Sequence, residues 1–260
     1  METSIVGPLS GQELQWHLRE DQAHRVVDYH FHRYLPEDLD IENALHKAFE
    51  ECNIPIEQER KLHALISDLS YIHFPTLEHS YRVGYQSYRL AKLEGLDPAP
   101  ALCAGLVHDC GKIRVDQVLL EKVVEWTADD SIKIQEHAMH SYRILVESGL
   151  PFLADIDVRH HRFQKNPYPQ ILPALSLGSD AKLVGRYAWI VALADHFDSM
   201  HRINSRRSAS SETVGFQIRD EMLCEHCEAE EQKFLMKAFD SGVFPILARP
   251  TKTTYRCVGH

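Results

Sequence analysis

Along most of the chain the apolar positions recur every three to four residues, the spacing of one face of a helix. This pattern predicts helices over residues 11–34, 41–51 and 56–70, with a break at Pro36-Glu-Asp-Leu-Asp40 and a turn at Asn53-Ile-Pro55. A longer helix is expected from Thr76 to Glu94, opened by Pro75 and stopped by Gly95. Asp97-Pro98 opens the next, which runs through the apolar stretch Ala101–Val107. Further helices are expected over 131–148, from Leu153, over 181–201 and over 215–239. No alternating run sits between turns at the spacing of hairpins or βαβ units, so the expected class is all-α. The expected organisation is accessory helices over 1–70, a helical bundle core over 71–212 and a helical extension over 213–260.

Several of these helices carry residues that a purely apolar core would not select. His79 shares a face with Val83 and Leu90, and His108-Asp109 closes the stretch that begins at Ala101. His137 and His140 fall on one face with Ile144, and His160-His161 follows a short helix. Asp195 lies on a face with Ala188, Val191 and Ala192, where an ionised carboxylate requires a strong partner. Any one of these histidines alone reads as a hydrogen-bonded core residue. Their conjunction with two aspartates reads as a metal centre. Nitrogen and carboxylate donors without thiolate suit Fe, Mn, Co, Ni or Zn, and Asp109 has two oxygens with which to bridge two ions. His24, His30 and His32 lack an acidic partner at ligand spacing and read as structural or surface residues.

Composition narrows the field. The chain has 17 histidines and a formal charge of −10, a surface that disfavours nucleic acid while leaving room for a local anion pocket. Arg202, Arg206 and Arg207, with Arg162 and Lys165, are candidates for such a pocket, against the plainer reading of a solvated basic loop. The apolar runs are too short to span a bilayer and no leader pattern opens the chain, so no membrane association and a cytoplasmic location are expected. Cys224-Glu-His-Cys227 and Cys257-Val-Gly-His260 have spacings compatible with a separate zinc site formed by Cys224, Cys227, Cys257 and His260.

The run His108-Asp109-Cys110-Gly111-Lys112 resembles the signature of the HD-domain superfamily of metal-dependent phosphohydrolases. The flanking motifs Glu78-His79-Ser80, His137-Ala-Met-His140-Ser141, Arg159-His160-His161 and Ala194-Asp195-His-Phe-Asp198 resemble those of its HD-GYP branch. Arg162 stands where that branch has an acidic residue, and Pro167-Tyr168-Pro169 is a degenerate form of its Gly-Tyr-Pro segment. The resemblance implies two divalent transition metals, Fe or Mn favoured. One would be held by His79, His108, Asp109 and Asp195, the other by Asp109, His137, His160 and His161. It further implies hydrolysis of a phosphate ester or diester, of a nucleotide or cyclic (di)nucleotide, with Asp109 and Lys112 at the reaction centre. Arg206 is similarly placed to an arginine of the HD-GYP pattern. Two other readings share the scaffold: a di-iron oxygenase, and a non-catalytic metal-binding signalling or interaction protein. The His160-His161 pair favours the hydrolase, and the N-terminal helices leave a homodimer open.

Overall fold

The computed structural model describes residues 25–33, 35, 39–122, 125–203, 214–226, 228–245 and 251–259. After strand β1 (Arg25–Arg33) come helices α1 (Ile41–Glu51), α2 (Ile56–Ile66), α3 (Leu69–Ile72), α4 (Phe74–Glu94) and α5 (Pro98–Val107). A 3-10 turn, Cys110–Arg114, leads to α6 (Gln117–Leu120), α7 (Ala128–Gln135), α8 (His137–Glu147) and α9 (Pro151–Asp157). A second such turn, His160–Phe163, precedes α10 (Ala181–Met200), β2 (Arg202–Ile203), α11 (Val214–Glu225), α12 (Ala229–Asp240) and β3 (Thr251–Gly259).

The fold is helical, as the periodicity predicts, and the ends of its main helices follow from local chemistry. Asp97 caps α5 by accepting from the Ala99 amide at 3.1 Å, and Asp180 caps α10 by accepting from Leu183 at 2.9 Å. Gly95 closes α4 in the left-handed conformation at φ 79°. Helix α5 is buried on every side from Ala101 to Val107, and α10 is buried without interruption from Tyr187 to Ala194. Helices apolar all round belong in the middle of a protein, and these two with α4 form its centre. Gly105 permits the closest approach: a Cβ there would lie 2.9 Å from the Val83 carbonyl and 3.0 Å from Gly84 Cα, so α4 and α5 touch through backbone.

One apolar cluster runs from Leu35 and Leu45 through Leu90, Leu106 and Ile190 to Phe239 and Phe244. The N-terminal and C-terminal helices therefore share the core of the central bundle. Among the described residues no helix is long and apolar enough to cross a membrane.

Four expectations are corrected. Residues 25–33 form a strand instead of the end of a helix, and 251–259 form a strand instead of continuing the C-terminal helical extension. The two pair antiparallel in one unbroken register, from Arg25 opposite Gly259 to Arg33 opposite Thr251. In Val27-Asp-Tyr-His-Phe31 apolar and polar residues alternate with period two, which suits a strand once a partner supplies the ladder. β2, directly after α10, adds to the other edge of β1, giving the order β2-β1-β3. The single helix expected over 131–148 is two, α7 and α8, and the break leaves His137 at the start of α8. The closing helix is likewise divided into α11 and α12.

Candidate metal centre

Five parts of the core deliver their polar residues to one place. His79 comes from the buried face of α4, His108 and Asp109 from the end of α5, and Asp195 from α10. His137 opens α8, and His160 and His161 lie in the turn after α9. His79, His108, Asp109, His137 and His160 are each at most 2 % exposed.

Gly111 explains how α8 meets the end of α5. A Cβ on this residue would sit 2.2 Å from the His137 carbonyl oxygen and 2.4 Å from the Ser141 amide nitrogen, so only glycine lets the turn lie against the first residues of α8. Ser141 fastens the contact, accepting from the Gly111 amide at 2.8 Å and donating to the His108 carbonyl at 2.9 Å.

The donor atoms form two groups joined by Asp109. Its Oδ2 is 3.4 Å from His108 Nε2 and 3.6 Å from His79 Nε2, whereas its Oδ1 is 3.3 Å from His137 Nε2. In the first group Asp195 Oδ1 stands 3.1 Å from His79 Nε2, and the Nε2 atoms of His79 and His108 face each other at 3.2 Å. In the second group His137 Nε2 faces His161 Nε2 at 3.1 Å. His137, His160 and His161 can converge on one ion, as can His79, His108 and Asp109.

The other ring nitrogens show which atoms are available. His108, His137 and His160 each donate Nδ1–H to a main-chain carbonyl three residues earlier, those of Gly105 (2.9 Å), Ile134 (2.6 Å) and Asp157 (2.5 Å). Each such bond leaves Nε2 as the lone-pair atom. His79 Nδ1 instead meets Asp198 Oδ2 at 2.7 Å, and His161 Nδ1 lies 2.7 Å from the Gln164 side-chain amide. The centre thus packs imidazole nitrogens 3.1 to 3.2 Å apart against two carboxylates, with a buried His160 Nε2 that has no hydrogen-bond partner. Buried donors that converge in this way, one of them unpartnered, are under-solvated unless a cation lies among them. The residues present fit divalent metal ions.

Electrostatics point the same way. Burial opposes ionisation of Asp109, but the Lys112 ammonium and His108 outweigh it and hold this carboxyl well below the usual range. Asp195 is held well below it too, where the cost of burial is outweighed chiefly by its hydrogen bond with His79. Burial depresses His108, yet the Asp109 and Asp195 carboxylates prevail and raise it to about 9. His137 is lowered to about 4 and His160 to about 3 by burial, and His161 is pushed well below its ordinary value by burial and by His160.

The other expected site residues divide. Lys112 donates to Asp109 Oδ2 at 2.5 Å, at the centre itself. Arg162 donates to the Pro169 carbonyl at 3.0 Å and so binds the Pro-Tyr-Pro loop. That loop sets Tyr168 against the centre, its ring stacked on His161 with centroids 4.2 Å apart. Lys165 is exposed on the wall of a 260 Å³ cavity that is also lined by Phe163, Gln164 and Asn166, by Ala192 and His196 of α10, and by Glu225 and His226. His140 lies away from the donor atoms, 4.0 Å from Glu136. Arg206, Arg207, Cys227 and His260 lie outside the described residues, as does His24. Arg202 and Cys257 are described through their backbone in β2 and β3, and Cys224 is exposed on α11.

Sequence reasoning missed Arg82 and the contact made by Asp198. Arg82 donates to Asp198 through Nε at 2.6 Å and Nη2 at 3.1 Å, behind His79. The available signal was spacing: Arg82 follows His79, and Asp198 follows Asp195, by three residues, so each shares a helix face with a candidate ligand.

The family model of the HD domain matches residues 76–200. Over 210 residues the chain is 27% identical to the 3'3'-cGAMP-specific phosphodiesterase 2 of Vibrio cholerae, an alignment covering 75% of this chain and 38% of that protein. It is 31% identical over 137 residues to the cyclic di-GMP phosphodiesterase of Thermotoga maritima, covering 50% of this chain and 35% of the relative. The chain therefore spans little more than a third of the length of either relative. Among solved structures, the HD domain of the L. monocytogenes phosphodiesterase PgpH aligns at 16% identity and a TM-score of 0.45, over 70% of this chain and 100% of that one. The segment that matches the HD-domain family, residues 76–200, holds the two histidine groups, the shared aspartate and Asp195 in one helical core.

Proposed function

We propose that the chain is a metal-dependent phosphodiesterase acting on a cyclic dinucleotide, with two ions held on either side of Asp109. The observation that carries this is the division of Asp109 itself, Oδ2 toward His79 and His108 and Oδ1 toward His137. His79, His108, Asp109 and Asp195 would hold one ion, and Asp109, His137, His160 and His161 the other. Fe or Mn suits this mixed set of imidazoles and carboxylates. When bound, two such ions lower the pKa of water and neutralise charge on the phosphate oxygens.

The chain's own residues supply the rest. Main-chain carbonyls hold three imidazoles through Nδ1–H and so aim Nε2 of each at the centre before any ion arrives. Lys112 places a cation against the shared carboxylate, within reach of a phosphate oxygen at the same spot. Tyr168 covers His161 and narrows access for water on that side. The adjoining cavity offers aromatic and amide groups, with the Lys165 ammonium on its wall, as room for one nucleoside portion of the substrate. The choice of a cyclic dinucleotide rests on the relatives, both of which are phosphodiesterases of that class by name.

The test is hydrolysis of 3',3'-linked cyclic dinucleotides by anaerobically reconstituted protein, read as linear dinucleotide or mononucleotide by chromatography. Cleavage that a chelator abolishes and Mn or Fe restores is the expected result. Intact substrate alongside oxygen consumption with an organic co-substrate would move the chain to the oxygenase reading.

A further inference from the structure

We propose that Asp198, clamped by Arg82, is a positioning residue that makes the His79 side of the centre the tighter of its two metal sites. The inference rests on the dinuclear reading above and adds a difference between its halves.

Four of the five imidazoles present Nδ1 to a neutral group, a main-chain carbonyl or the Gln164 amide. His79 presents its Nδ1 to a carboxylate at 2.7 Å. An anionic acceptor behind an imidazole fixes the ring, keeps the proton on Nδ1 and makes Nε2 a stronger donor to a cation. Asp198 is wholly buried, where a lone carboxylate would take up a proton and lose that effect. Arg82 prevents this with two bonds, Nε to Oδ1 at 2.6 Å and Nη2 to Oδ2 at 3.1 Å. The fork also sets the carboxylate plane, which in turn sets the direction of His79. Because α4 and α10 each contribute one member of the pair, the clamp holds two ligand-bearing helices in register at the level of the ion.

The experiment is stepwise binding of Co2+ to the metal-free full-length chain, followed by calorimetry and by the visible absorption of the bound ion. In the wild type two steps of different affinity are expected. Asp198→Asn keeps the shape and removes the charge; the tighter step should weaken by about 10–100-fold with a changed absorption band, and the weaker step should stay as it was. Arg82→Lys, which keeps a cation but loses the fork, should fall between the two. Should Asp198→Asn fail to fold, the double variant Arg82→Met with Asp198→Asn removes both buried charges and should show the same selective loss. Unchanged binding in a folded Asp198→Asn variant, or loss confined to the weaker step, overturns the inference. Absence of binding in the wild type overturns the dinuclear reading and this inference with it.

Discussion

The two halves of the centre share Asp109 and differ in nearly everything else. One half comes from α4, α5 and α10, the three helices at the middle of the core, and brings carboxylates to two imidazoles. The other comes from the first residue of α8 and the turn after α9, and consists of three imidazoles with one carboxylate oxygen. In the first half carboxylates raise His108 to about 9; in the second, burial lowers His137 to about 4 and His160 to about 3. The charged half must expel a proton to accept an ion, whereas the neutral half is already deprotonated. Charge therefore resides on one side of Asp109, and on the other lie the nitrogen-rich group, Tyr168 and the loop walls of the cavity.

Removing the residue common to both halves should erase the comparison. Asp109→Asn is expected to abolish tight binding of both ions and lower phosphodiester cleavage by on the order of 10³-fold, as assayed with metal analysis on the same sample. Retention of two ions would show that the halves do not depend on the shared carboxylate. His161→Ala should sharpen the contrast: one ion is lost, the other stays, and activity falls by about 10–100-fold.

Acid should also act on one half selectively. The raised His108 holds its proton at all pH values below about 9, and an ion that uses its Nε2 must displace that proton. Affinity of the carboxylate half should therefore fall by about tenfold per pH unit as pH drops below about 9. The histidine half, with its rings already neutral, should keep a constant affinity from pH 6 to 8. Metal titrations at several pH values check this directly. The smallest effect is expected for Ser141→Ala, which strips partners from the buried Gly111 amide and His108 carbonyl. It should cost about 1–3 kcal/mol in denaturant unfolding while leaving the metal count at its wild-type value.

The carboxylate half was the more legible in sequence. His79, His108, Asp109 and Asp195 stand out because each interrupts an apolar face of a helix whose bounds follow from proline, glycine and a capping aspartate. The histidine half was recognised from its residues, but the break at Glu136 that puts His137 at a helix start depends on packing against Gly111. Arg162 was expected near the substrate, and its bond to the loop that carries Tyr168 was not legible, because the acceptor is a main-chain carbonyl seven residues further on. The sheet was missed because its partners, residues 25–33 and 251–259, lie at opposite ends of the sequence, and a short alternating run has no ladder to declare it locally. The Arg82–Asp198 clamp was missed for the same reason, since the two residues are 116 positions apart.

The most direct test of the account is the number of ions bound per chain after metal-free protein is reconstituted with Mn2+ under anaerobic conditions and freed of excess metal. Two ions per wild-type chain, falling to one in His161→Ala, is the expected result. A wild-type chain that binds none, or binds a single ion unaffected by His161→Ala, would contradict it.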